Sequence, residues 1–370
     1  MSVRTDTHAA GKVLIAGPAT YDTVPAIGRA FERLGWLAEL RCYRFVTSTL
    51  QQKCWRLIKR LRLHNGLEQA LFNRFLEREV WPRLLSEHPD LLLLVRPFTL
   101  SVRNRHRLCS SGIPAITWMT DSLVRYGGHA GPWPEAVRNF VFDGADARPG
   151  LSTWLPLGFD DEQFRPGEQR EWDVLFVGRL FARGYYLRRQ FFERLLSWKE
   201  LPHYRVGWVG NASRQLSGLV LRARQCGMVT LGEVDMTALA GAIAASRISI
   251  LVHQDDGCQP VNPLFFAIPG CRSCLVTDRR DYLSRWLVPH REFVPVELGK
   301  LLPMLTALCK NAHASAMMAE QGWRAAQQHT WLQRVKTLLT DLGMPSCPNQ
   351  KLPVPGEGPT ASCVNGQFQQ

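Results

Sequence analysis

The stretch STWLPLGFDDEQFRPGEQREWDVLFVGRL, residues 152–180, decides the architecture. Its first part is crowded with proline, glycine and charge and lacks any periodicity, which reads as a linker. Its end, DVLFVGRL (173–180), is an apolar run of strand length. The chain therefore begins a second sheet after about 150 residues of alternating strands and helices. Upstream, KVLIAG (12–17) is a first buried strand and TVPAIGRAFERLGW a helix ended by Gly35. LAELRCYRF continues as a strand, and a helical insert runs from about Thr49 to Glu87. DLLLLVRP (90–97), IPAITWMTD (113–121) and VRNFVFDG (137–144) are further strands, with a helix over LSVRNRHRLCSSG. Downstream, YRVGWVG, MVTLGEV, ISILVHQ, CLVTD and EFVPV alternate with helices, and a last helical stretch spans about Leu298 to Leu342.

This alternation predicts two doubly wound, Rossmann-like α/β domains facing each other across a cleft. The expected boundaries are 1–150 for the first domain, 151–171 for the linker, 172–343 for the second domain, and 344–370 for a tail without periodicity, expected to be disordered. In open parallel sheets ligands bind beyond the carboxyl ends of the strands, so the cleft is the expected site.

Composition narrows the class. The chain has 370 residues, a formal net charge of +13 and a pI near 9.6. The polar start MSVRTDTHAAGKVLIAG is unlike a signal peptide, and LLLLV (91–95) is far shorter than a membrane span, so a cytoplasmic protein is expected. The basic excess concentrates in RCYRFVTSTLQQKCWRLIKRLRLHNG (41–66), which contains no Asp or Glu. An anionic membrane surface, at the inner face of the membrane, suits CWRLIKRLRL; an ordinary amphipathic helix with a solvated basic face suits it equally. No nucleic-acid-binding signature is present, and none is expected to bind. Of the ten cysteines only Cys271 and Cys274 are closely spaced; without a second pair they read as buried thiols, and no metal site is expected. AGPATYDTVPAIG lacks the glycine fingerprint of a dinucleotide dehydrogenase, leaving Tyr21 and Asp22 as weak cleft candidates.

Four segments, in order, carry a resemblance: WLPLGFDDEQFRP, WDVLFVGRLFARGYYLRRQFFERLL, AASRISILVHQ followed by NPLFFAIPGC, and HTWLQRVKTLL. Together they resemble the GT-B type glycosyltransferases, and within them the CgeB-like proteins of the glycosyltransferase group 1 superfamily. The resemblance implies a glycosyltransferase of hexosyltransferase type, using a nucleotide-sugar, UDP-linked, as substrate and no cofactor. Glycan, lipid-linked or protein hydroxyls are the implied acceptors, in cell-envelope or protein glycosylation.

The residues can be weighed against that chemistry. A buried diphosphate needs helix N-terminal amides and cations, which Gly178, Arg179 and Arg183 offer, with Arg188 as a second cation; two surface arginines near a helix start are the plainer reading. His253 and Gln254 end a buried strand beside the polar loop and are candidate donor contacts. Asn262 precedes Pro263 and reads as a helix cap, and the resemblance also places it beside the donor. Asp121, followed by a glycine-rich loop with His129, is a candidate general base if the reaction inverts configuration; a turn residue is the alternative for Asp121. The resemblance also exposes a departure. Where the family has Phe-Glu-x-x-Ala-Cys-Gly, this chain reads FAIPGCR, so Ala267 stands in place of a ribose-binding Glu and Arg272 in place of a Gly. Asp255, Asp256 or Glu233 could supply the lost acceptor. A catalytically degenerate binding or scaffold protein partnering an active transferase is the alternative, and a two-domain sugar-nucleotide epimerase a third.

Overall fold

The computed structural model describes residues 10–19, 22–44, 64–123, 137–181, 185–253 and 259–345. Two six-stranded sheets, parallel throughout, form the frame. The first contains β1 (Gly11–Pro18), β2 (Trp36–Tyr43), β3 (Leu91–Val95), β4 (Ala115–Met119), β5 (Val137–Val141) and β6 (Thr153–Trp154), in the order β2-β1-β3-β4-β5-β6. Around it lie α1 (Thr23–Arg33), α2 (His64–Phe75), α3 (Trp81–Glu87) and α4 (Val102–Ser110), with a π-helical turn, Leu76–Val80, joining α2 to α3. The predicted insert is thus helical over 64–87; its residues before 64 lie outside those described.

Both faces of this sheet are covered, which is why its strands read as uninterrupted apolar runs. Along β1, Val13 and Ile15 enter one core with Phe31 and Trp36, while Leu14 and Ala16 enter the opposite core with Phe72 and Trp81. The second sheet contains β7 (Trp172–Val177), β8 (Val206–Val209), β9 (Val229–Gly232), β10 (Ser246–Leu251), β11 (Cys274–Asp278) and β12 (Val294–Val296), in the order β12-β11-β10-β7-β8-β9. Its helices are α5 (Tyr186–Leu196), α6 (Ser217–Gln225), α7 (Met236–Ala244), α8 (Leu264–Gly270), α9 (Leu301–Lys310) and α10 (Ala312–Ala326). Val174 and Phe176 face one core, Leu175 and Val177 the other.

Two boundaries depart from expectation. The segment expected to be pure linker starts inside the first sheet: β6 pairs with β5, and Leu155 and Leu157 belong to the first core, whereas Phe159 and Phe164 belong to the second. The last helix, α11 (Trp331–Asp341), follows the second domain in sequence but packs on the first. Trp331, Val335, Leu338 and Leu339 are buried with Val13 and Phe31, and the Trp331 ring meets Trp118 edge-on at 5.4 Å. A helix needs only a complementary apolar face, and its periodicity does not say which sheet offers one.

The chain thus crosses between domains twice, and the crossings are bonded to each other. Phe159 N donates to His329 O at 3.2 Å, and Trp331 N to Phe159 O at 3.0 Å. Gly158 permits this approach, since a Cβ there would sit 2.6 Å from Trp331 N. The Leu-Pro-x-Gly turn and the His-Thr-aromatic-x-x-Arg segment are therefore two halves of one junction. Within it Thr330 caps α11 by accepting from Gln333 N, and His329 stacks on Phe266 with ring centroids 4.3 Å apart. Arg334 donates to His329 Nδ1 at 3.0 Å and lies over the Phe266 and Trp286 rings. No carboxylate among the described residues pairs with this buried guanidinium, and burial lowers its pKa to about 10, leaving it charged at neutral pH.

Candidate functional site

A cleft of about 760 Å³ lies between the domains and is lined from both. Each sheet contributes its topological switch point, the position where strand order reverses and no crossover covers the strand ends. In the first sheet this is between β1 and β3, presenting Pro18, Val95 and Arg96; Thr120 and Asp121 follow at the end of β4. In the second it is between β7 and β10, presenting Val177, Gly178, Leu251 and His253.

The β7 end is built for close approach. Gly178 has φ 142°, a conformation that side-chain-bearing residues rarely adopt, and its carbonyl accepts from Trp208 Nε1 at 2.9 Å. A Cβ on Gly178 would lie 3.2 Å from the Arg188 side chain. Arg188, in the first turn of α5, is buried; its Nε and Nη2 donate to Val252 O at 2.9 and 2.6 Å, and Nη1 to Arg179 O at 3.3 Å. It also lies 4.7 Å from the centre of the Tyr185 ring. One guanidinium thus ties the β7 turn to the β10 end and sets a positive charge in the cleft lining. Arg179 is half-exposed and ion-paired with Glu233, whose other oxygen accepts from Asn211 Nδ2 at 2.6 Å. Arg183 lies outside the described residues.

His253 is buried, and its backbone N–H and Nδ1 both meet Asp278 Oδ1, at 2.8 and 3.0 Å. Arg280 Nε donates to Asp278 Oδ2 at 2.6 Å. Burial works to raise the pKa of the Asp278 carboxyl, but His253 and Arg280 outweigh it and hold the group well below the usual carboxylate range. Gln254, like Asp255 and Asp256, lies outside the described residues.

Asn262 lines the cleft and its Oδ1 accepts from Leu264 N at 3.0 Å, fastening the start of α8. Ala267, buried one turn further on, also lines the cleft. Arg272 does not. It closes α8 at φ 57°, with its N–H on Pro269 O at 2.7 Å and that of Ser273 on Ile268 O at 3.3 Å, a Schellman closure that favours glycine. Its side chain pairs with Glu320 at 2.6 Å. Of these two residues, only Ala267 therefore touches the cleft. Cys271 and Cys274 are both buried, and burial pushes both thiols up to about 12, so neither is a ready thiolate.

On the facing domain, Asp121 Oδ1 accepts from Ser122 N at 3.0 Å, a turn contact, while the residue lines the cleft. His129 lies outside the described residues, as does Tyr21. Asp22 lines the cleft but is bound to Arg29 at 2.9 Å, which also grips Asp160 of the linker at 2.6 Å. Arg96 was not singled out from the sequence. It lines the cleft at the end of β3 with φ 51°, and its carbonyl accepts from Tyr43 Oη at 3.0 Å. A charged residue directly after five buried apolar ones, and before Pro97, was the available signal. Left-handed backbone at a bulky residue is stored strain of the kind that collects at ligand sites.

These features define a protein of the GT-B fold: two parallel α/β domains with a ligand cleft between their switch points. Residues 188–340 match the family model described as "Glycosyl transferase-like". No curated protein is similar to the chain at a significant level. Among solved structures, HepE from Anabaena in complex with UDP-glucose is 13% identical with TM-score 0.58, covering 90% of this chain and 99% of that one. Sucrose-phosphate synthase from Thermosynechococcus elongatus is 10% identical with TM-score 0.56 over the same shares. A glycosyltransferase from Rickettsia africae is 10% identical with TM-score 0.55, covering 89% and 97%. Among the described residues no helix is long and apolar enough to cross a membrane.

Proposed function

We propose that the protein is a glycosyltransferase that moves a sugar from a nucleoside-diphosphate-sugar, UDP-linked, to a hydroxyl acceptor. The observation that carries this is the cleft floor: a glycine turn at the end of β7, flanked by Arg179 and bound by the buried Arg188, at which the match to the glycosyl transferase-like family begins. A diphosphate leaving group develops charge as the sugar C1–O bond breaks, and fixed cations in a closed cleft stabilise that charge without reorganising. The acceptor oxygen forms the new bond to C1, and Asp121, across the cleft, takes its proton on the inverting route. Arginines do the neutralising, so the reading involves neither metal nor cofactor. HepE, of the same fold, is described with UDP and UDP-glucose, which favours uridine among the donors. We place the protein in the cytoplasm, with the basic segment 41–66 against an anionic inner membrane face and a glycan, lipid-linked or protein acceptor.

The test is a binding screen with UDP, GDP, TDP, ADP and CMP, followed by donor hydrolysis and transfer. UDP is expected to bind, and Arg179→Ala to weaken it by about one to two decades, the worth of a charge-assisted hydrogen bond. A protein that binds no nucleoside diphosphate and turns over none of their sugars refutes the proposal. Ala267 favours a second reading, a non-catalytic relative of CgeB type that partners an active transferase, because no carboxylate projects from this turn of α8. If Ala267→Glu creates nucleotide binding where the natural chain has none, that second reading replaces the first.

A further inference from the structure

Among the described residues of the cleft lining, His253 has a buried polar side-chain atom without a partner. Its ring is 1% exposed, Nδ1 meets Asp278 Oδ1 at 3.0 Å and Thr277 Oγ1 at 3.2 Å, and Nε2 is buried with no hydrogen-bond partner among the described residues. Leaving a buried polar atom unsatisfied forfeits its hydration without replacement, so a group in this position calls for a partner. The tautomer follows from the neighbour. Asp278, ionised and already accepting from Arg280, can only accept, so Nδ1 carries a proton, and the neutral ring then presents a lone pair at Nε2. A lone pair cannot bind a deprotonated phosphate oxygen; it needs a hydroxyl or N–H donor. The residue lies two positions past the end of β10, next to the β7 turn, and the backbone carbonyl of Val252 beside it is held by Arg188. It therefore sits next to the cations that would hold a diphosphate, within the cleft that the diphosphate's sugar would enter.

We propose that His253 is a sugar-reading residue: Nε2 accepts a hydrogen bond from a hydroxyl of the sugar carried by the nucleoside diphosphate. This rests on the nucleotide-sugar reading above and adds a specificity contact to it. Asp278 and Arg280 are positioning residues, fixing the ring and its tautomer. The contact is made with the sugar, so the free nucleotide does not report it.

The experiment is calorimetric titration of the full chain with UDP and with UDP-glucose, for the natural protein, His253→Phe and His253→Gln. In His253→Phe the preference for UDP-glucose over UDP is expected to fall about three- to tenfold while UDP affinity stays within about twofold; in His253→Gln, which keeps an acceptor, part of the preference returns. Equal losses for both ligands, or an unchanged preference, overturn the proposal. Because His253→Phe leaves the Asp278 carboxylate without its ring partner, nitrogen NMR of the natural protein provides a measurement independent of folding. It should show protonated Nδ1 and bare Nε2, with Nε2 shifting on addition of UDP-glucose and not of UDP. An Nε2–H in the saturated complex overturns the proposal. UDP-glucose binding without any transfer leaves His253 as the reader and refutes the transferase reading alone; failure to bind either ligand overturns both.

Discussion

The junction where the two crossings meet makes stability depend on pH in a way that can be worked out from one residue. His329 accepts from Arg334 at Nδ1 and meets Trp286 O at 3.0 Å through Nε2, so the folded protein holds it neutral, as the Nε2–H tautomer. Burial, and then the charge of Arg334, push its pKa down from 6.5 to about 4. The unfolded chain takes up a proton on this side chain below about pH 6.5, while the folded chain resists until about pH 4. Stability from this group is thus fully present above pH 6.5 and lost as pH falls through that window. At about 1.4 kcal/mol per pH unit the loss approaches 3 kcal/mol, and partial exposure makes this an upper bound. His329→Gln keeps an acceptor for Arg334 and a donor for Trp286 but does not titrate. Urea denaturation of both proteins at pH 7.5 and 4.5, followed by tryptophan fluorescence, isolates the contribution of His329. The natural protein should lose about 2–3 kcal/mol more than His329→Gln on acidification. Equal losses would refute the assignment of His329 as a buried neutral link.

Four further outcomes follow from the packing. Gly210→Ala should destabilise the second domain by about 2–4 kcal/mol in urea denaturation and impair UDP binding, because its Cβ would lie 2.2 Å from Gly178 O at a residue with φ 145°. Gly218→Ala, in α6 with no neighbouring atom within 4 Å, should instead gain up to about 1 kcal/mol by the same measurement. Trp331→Ala should cost about 3–5 kcal/mol. Its effect should appear as faster hydrogen exchange in α1 and β4 of the first domain, although residue 331 follows the whole second sheet. Arg179→Ala should change thermal stability little, within the roughly 1 kcal/mol worth of an exposed ion pair, so that its effect on nucleotide affinity is a binding effect.

Much of the frame could be read from the sequence because strands buried on both faces leave uninterrupted apolar runs. LLLLV and DVLFV announce themselves, and a proline- and glycine-rich stretch between two alternating series marks a second start. The return of α11 could not be read, because an amphipathic helix looks the same whichever sheet it covers. Site residues divide along a similar line. Gly178, Arg179, His253, Asn262 and Asp121 stand at strand or helix ends, where sequence order alone places them near a cleft, and the structure brings all five to its lining. What they touch was hidden. That Arg179 is held by Glu233, Arg188 by the Val252 carbonyl and His253 by Asp278 depends on neighbours across the sheet, 54, 64 and 25 positions away. Arg96 escaped notice because its left-handed backbone has no signature at a residue other than glycine. The Arg272 position shows the reverse: a Gly is the expectation there from the resemblance, and the backbone has φ 57°, a conformation that favours Gly.

The central claim, that the cleft between the two switch points receives a nucleoside diphosphate, is tested most directly by hydrogen–deuterium exchange of the full chain with and without saturating UDP. Protection is expected at 174–181, 249–253 and 259–267, the segments that end β7 and β10 and begin α8. Binding of UDP with protection confined to other surfaces, or no binding at all, would contradict it.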